Sequence, residues 1–221
     1  MNSPDLDFAA TKAAETLIKF GIKAGPVDPL WVIKTIRRDV IMISFAELAL
    51  QMHLDRDSLL QSISPENHDA MSFTKEINGD MRYFVVYNQR LPYYLVQRGL
   101  ARELGHIIIG HDGSRMPEAR MAEAQIFAYH FLCPRALVRA IQESGIRFST
   151  EVLGNATGCF ERCLAGMRKT PGTHVPRELN RMIRDQFSEY IENFIDFQKI
   201  MASTDESRDA DFGTYMDGYE D

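Results

Sequence analysis

The sequence predicts an α+β fold that is mostly helical, with a small sheet of about three strands and further helices towards the C-terminal end. Three observations carry that prediction. The apolar run Val40–Ile43 and the β-rich stretches flanking Asn78-Gly79 supply the strands, because Asn-Gly between two such runs is a strong hairpin signal. Between Pro92 and Gly110, Leu100, Leu104, Ile107 and Ile108 fall at helical spacing and give that segment a buried face. From Pro176 to Ala202, Ile183, Phe187, Tyr190, Phe194, Phe197 and Met201 recur in steps of four and three, the seam of one long helix.

Composition narrows the class. A chain of 221 residues, 45% hydrophobic and 25% charged, suits one main domain with appendages and a real core. No apolar run approaches the ~20 residues needed to cross a bilayer, and the start MNSPDLDF lacks the basic-then-apolar order of a secretory signal, so a cytoplasmic protein with no membrane partner is expected. Cys133, Cys159 and Cys163 are an odd number without a CxxC pair and read as buried free thiols. The net charge of -6 is carried by residues 204–221, which hold seven acids against Arg208; the rest of the chain holds 24 basic and 24 acidic residues. A near-neutral body gives no footprint for non-specific nucleic-acid binding.

Taken in order, Ser3-Pro4-Asp5 reads as an N-cap, a proline at the first helical position and an acid in the first turn, starting a helix that ends near Phe20. Asp28-Pro29 starts a second, with Leu30, Ile33 and Ile36 on one side and the single tryptophan, Trp31, beside them. Val40–Ile43 is a buried strand. Residues 45–63 read as two short helices broken near Leu54-Asp55, an outline resembling a helix-turn-helix. Its second half offers acids and one arginine where phosphate contacts are wanted. The hairpin follows, then the helix closed by Gly110, on which Arg102 and His106 share a face. A second long helix, EARMAEAQIFAYHFL, stops at Cys133-Pro134; its stripe is Ala124, Phe127, Ala128 and Phe131, and Glu123 lies on a flank. RALVRAIQESG is a further helix, and residues 149–169 form two short ones. The aromatic seam suits an intramolecular core, with a dimer contact as the alternative. The acidic segment after Ser203 is expected to be disordered.

Chemistry concentrates in QRGLARELGHIIIGH, residues 97–111. In an H-E-x-x-H helix two histidines one turn apart bind zinc and the glutamate polarises a water. Here Arg102 stands where the first histidine would be, followed by Glu103 and His106. With VIMISFAELA, FVVYN and EAQIFAYHFLCP, this stretch resembles the ImmA/IrrE family of metallopeptidase-like proteins, associated with mobile genetic elements and stress responses. The resemblance spans roughly residues 28–141. It implies a zincin-like domain over residues 28–144, after an N-terminal helix in 1–27 and before a helical region in 145–202 and the tail in 203–221. It also implies zinc as cofactor, Glu103 as catalytic base, and His106 and Glu123 as metal ligands. Gln125 replaces an asparagine of the family pattern, and Arg102 replaces the first ligand.

An arginine cannot ligate, since guanidinium stays protonated and has no lone pair to give. His111, beyond Gly110, and His130 are the available replacement donors. Glu123 and His130 are two helical turns apart, ~10 Å of rise, too far to share one ion. His111 reads most simply as a helix-end residue capping carbonyls, and His130 as a supporting side chain. His53, His68 and His174 fall in loops or helix ends, where solvated histidines are expected. The alternative to zinc is that the Arg102 cation takes the place of the metal's charge by pairing with Glu103 or Glu123. The expected function is a catalytically impaired family member retained to bind a protein, such as a transcriptional repressor. The alternatives are an active zinc endopeptidase with an unorthodox ligand set, and a DNA-binding regulator acting through residues 45–63.

Overall fold

The computed structural model describes residues 3–37, 39–111, 117–146, 149–159 and 172–216, the side chains of Glu66 and of 204–216 excepted. Its helices are α1 (Leu6–Lys19), α2 (Pro29–Ile36), α3 (Phe45–Gln51), α4 (Arg56–Ser62), α5 (Tyr93–Ile109), α6 (Pro117–Leu132), α7 (Arg135–Glu143), α8 (Thr150–Thr157), α9 (Arg177–Gln186) and α10 (Ser188–Met216). Three strands, β1 (Val40–Ser44), β2 (Ala70–Ile77) and β3 (Asp80–Tyr87), form one mixed sheet in the order β1-β3-β2. The mostly helical α+β class is as the sequence predicts.

The hairpin forms at Asn78-Gly79, whose φ angles of +54° and +85° are those a two-residue turn requires, with Ile77 paired to Asp80. β1 joins the other side of β3 in parallel, Val40 opposite Tyr83 and Ser44 opposite Tyr87. Alternation then divides the sheet. Val40, Met42, Tyr83 and Val85 face the main core, while Ile41, Ile43, Phe84 and Val86 face a second cluster with Phe45, Leu48 and Leu59 from α3 and α4. The unbroken apolar run of β1 is thus covered on both faces. It lies at a sheet edge, however, and only Ile43 and Ser44 are buried.

The main core is helical. Ala9, Ala10, Ala13, Ala14 and Leu17 of α1 pack on the face of α6 that carries Phe127 and Phe131. Burying each large apolar side chain contributes about 1.5–3 kcal/mol. α1 begins later than its sequence predicts: the cap is Asp5, whose carboxylate accepts from the Phe8 amide at 2.9 Å, rather than Ser3. α2 docks through Val32 and Ile33, capped by Asp28 as expected, and leaves Trp31 49% exposed with Phe20 against its edge.

The predicted single C-terminal helix is two, divided at Phe187, where the backbone turns to φ -94°, ψ 3° and seats a fully buried Phe187. Ile183, Phe187 and Ile191 are buried within the chain, whereas Phe197 and Met201 are exposed. α10 runs on to Met216, past Ser203, where the sequence predicts order to end. The second short helix expected before residue 170, Cys163 and the last five residues lie outside the described residues. Cys133 and Cys159 are buried free thiols in the main core.

Candidate functional site

The site is built where α5 meets β2 and α6. Two glycines allow that approach. A Cβ on Gly99 would stand 2.9 Å from the Ala70 Cβ and 3.0 Å from the Asp69 Cγ, and one on Gly105 would stand 3.1 Å from the Ala124 carbonyl oxygen and the Phe127 side chain. Helix α5 therefore lies against the start of β2 on one side and against α6 on the other. Its middle turns, Gly99 to Gly105, are all buried, and this places Arg102 and Glu103 at 3% exposure each. Ile107 and Ile108, expected on the buried face, are half-buried nearer the helix end.

Two polar networks meet there. In the first, the Arg102 guanidinium lies 3.1 Å from the Asp69 carboxylate and donates to Glu103 Oε1 from Nε at 3.2 Å and Nη2 at 3.1 Å. Nη2 also donates to the Ala70 carbonyl. Arg98 holds the other oxygen of Asp69 at 2.8 Å. Glu103 Oε2 accepts from the Ser72 hydroxyl at 2.5 Å, which in turn accepts from the Tyr83 hydroxyl at 2.9 Å. Burial pushes the Glu103 carboxyl above its ordinary value, opposed by the Arg102 charge and the Ser72 bond. Two arginines and two carboxylates balance one another, with Arg102, Glu103 and Asp69 buried and Arg98 reaching partly into solvent.

The second network joins His106, His111 and Glu123. Gly110, at φ +76°, ends α5 in the left-handed conformation and turns the chain so that His111 folds back over it. His111 does not cap carbonyls with its ring: Nε2 lies 2.9 Å from Glu123 Oε2 and Nδ1 lies 2.7 Å from His106 Nδ1. Glu123, fully buried, also accepts the Asp5 amide at 2.8 Å, which sets its carboxylate at the N-terminal end of α1. His106 is pushed down to about 3, first by burial and then by His111, Arg102 and Arg120. It is neutral near pH 7. A carboxylate only accepts, so His111 Nε2 carries a proton, and only one of the two facing Nδ1 atoms of His106 and His111 carries one.

The sequence-derived candidates thus divide. His106, His111 and Glu123 converge; Arg102 and Glu103 pair beside them. His130 does not join them. It lies two turns along α6, buried, with Nε2 2.7 Å from the Thr173 hydroxyl, and burial followed by the Arg135 charge pushes it down to about 4. His68, expected in solvent, bonds the Leu60 and Ile63 carbonyls instead. Asp69, Ser72 and Tyr83 are partners that no helical or metal motif signals.

The arrangement is a poor fit for zinc. Both His111 nitrogens are engaged, Glu123 already accepts from a backbone amide and an imidazole, and Arg102 gives no electron pair. Among the described residues no group of three His, Cys, Asp or Glu side chains is disposed to hold a metal ion. In residues 45–63 two capped helices form as expected, and Arg56, the one arginine or lysine there, lies 3.8 Å from Asp57. No helix among the described residues is long and apolar enough to cross a membrane.

Comparison with known families follows the same residues. Residues 55–158 match the Peptidase_M78 family model, described as the IrrE N-terminal-like domain. No curated protein and no solved structure matches the chain.

Proposed function

Since residues 55–158 match the IrrE N-terminal-like family model, we propose that the chain belongs to that family, keeps a metallopeptidase fold without the peptidase chemistry and acts by binding a protein. A transcriptional repressor is the partner class that the family resemblance suggests, and control of a mobile element the setting. The observation that carries this reading is the buried Arg102–Glu103 pair. The carboxylate that would polarise water is held on Oε1 by a guanidinium and on Oε2 by Ser72, while the residue in the first ligand position is itself a cation. A general base needs its lone pairs directed at the water it activates. A binding surface needs only shape. One candidate surface is an apolar groove of about 620 Å³ between the sheet and α3–α4, lined by Ile41, Ile43, Leu48, Leu59, Phe73 and Phe84.

The test is zinc content and proteolysis, measured for the natural protein and for Arg102→His purified without chelator. The expected result is no stoichiometric zinc and no cleavage in the natural protein, with zinc gained by the variant. About one zinc per natural chain, with metal-dependent cleavage abolished in Glu103→Gln, would overturn the proposal in favour of an active endopeptidase.

A further inference from the structure

Away from that site, the groove between α7 and α9 gathers more positive charge than a near-neutral body predicts. Its walls are Arg135 and Arg139 at i, i+4 on α7, and Arg177, Asn180, Arg181 and Arg184 at i, i+3, i+4, i+7 on α9. Thr173 and His174 form the floor, and the volume is about 640 Å³, within the range of small-molecule sites. Both helices begin at this groove behind a proline, and neither has a side chain capping its first amides.

The arginines are only partly satisfied. Arg135 donates to the Thr173 carbonyl at 2.7 Å, and Arg184 pairs with Glu143 at 3.0 Å in the open. Arg139, Arg177 and Arg181 have no ion-pair or hydrogen-bond partner among the described residues. Holding such like charges side by side costs energy that an anion removes. The floor is anchored, not mobile: the His174 amide donates to Asp7 at 2.7 Å, and the Thr173 hydroxyl meets buried His130.

We propose that this groove is a binding site for a compact polyphosphorylated small molecule, its phosphates held by Arg139, Arg177 and Arg181. Planar guanidinium forks and free helix amides are the donors that phosphate oxygens require. The size and surroundings favour a compact ligand over a nucleic acid strand. Among the described residues the lining has no Phe, Tyr or Trp on which bases would stack, and Glu143, Glu178 and Asp185 on the same two helices would repel an extended polyanion.

The test is titration calorimetry on the full chain with sodium tripolyphosphate, inorganic phosphate, ATP and a single-stranded oligonucleotide, all without magnesium. Tripolyphosphate should bind with saturation, far more tightly than inorganic phosphate, and Arg139→Gln/Arg181→Gln should weaken it by about tenfold or more while thermal unfolding is unchanged. Arg177→Gln alone should give a smaller loss in the same direction. Equal affinity for ATP and tripolyphosphate means that phosphates alone are read, and tighter ATP binding that a nucleoside is held as well. Either result supports the site. Absence of saturable tripolyphosphate binding, binding indifferent to the arginine variants, or an oligonucleotide bound more tightly than either polyphosphate would overturn it.

Discussion

Arg102 and Asp69 face each other at 3.1 Å with side chains only 4% and 5% exposed, one from the middle of α5 and the other from the residue before β2. This pair ties the helix to the sheet, and through Arg102 it fixes Glu103. Removing one member of a buried pair strands the other's charge, which costs about 3–5 kcal/mol. Glu103 still pairs with Arg102 in Asp69→Asn, so that variant should lower stability in urea denaturation by at most that order. Asp80→Asn, which breaks an exposed 3.3 Å pair with Arg82, should change it by less than about 1 kcal/mol.

Gly99→Ala tests the close approach of α5 to β2. Alanine is worth up to about 1 kcal/mol in a helix interior. Its Cβ, however, would stand 2.9 Å from Ala70 Cβ and 3.1 Å from Ala70 N, atoms that cannot move without shifting the strand. Overpacking of this kind costs about 1–3 kcal/mol, so the expected net effect is destabilisation, read as a lower thermal midpoint.

Acid should destabilise the fold through its buried histidines. His130 falls to about 4 in the folded chain, by burial first and then by Arg135, against an ordinary 6.5. A depressed histidine contributes its full stability above about pH 6.5, and that contribution is lost as pH falls and the unfolded chain takes up the proton. At pH 5 the loss from His130 alone is about 2 kcal/mol. His106, pushed down to about 3, acts in the same direction. Stability measured from pH 7 to pH 5 should fall steeply in the natural protein and less steeply in His130→Gln.

Local periodicity made much of this fold legible. The hairpin followed from Asn78-Gly79, α5 and α6 from their apolar spacing, and the end of α5 from Gly110. At the site, His106, Glu123 and the anomaly at Arg102 were visible in one short stretch and its downstream helix. What stayed hidden depended on contacts across the chain. Asp69 sits in a loop with no periodic signal, and only the placement of β2 beneath Gly99 brings it to Arg102, so the sequence offered Glu103 or Glu123 as partners and missed Asp69. His111 read as a capping residue because nothing local says that its ring turns towards α6. Ser3 and Asp5 are both good caps, and the choice between them is made by the distant Glu123, which takes the Asp5 amide. The seam from Ile183 onwards was recognised, but not its interruption, where Gln186 bonds the Leu17 carbonyl at the far end of α1.

The Asp5 amide bonded to buried Glu123 supplies a native spectroscopic reporter. Its proton should resonate well downfield in a nitrogen-correlated NMR spectrum and exchange slowly with solvent, although Asp5 itself is exposed. Any event that takes the Glu123 carboxylate, whether protonation, a cation or a partner's side chain, should move that one resonance. The state of the buried cluster can thus be followed from a single backbone position, with no label or substitution inside it.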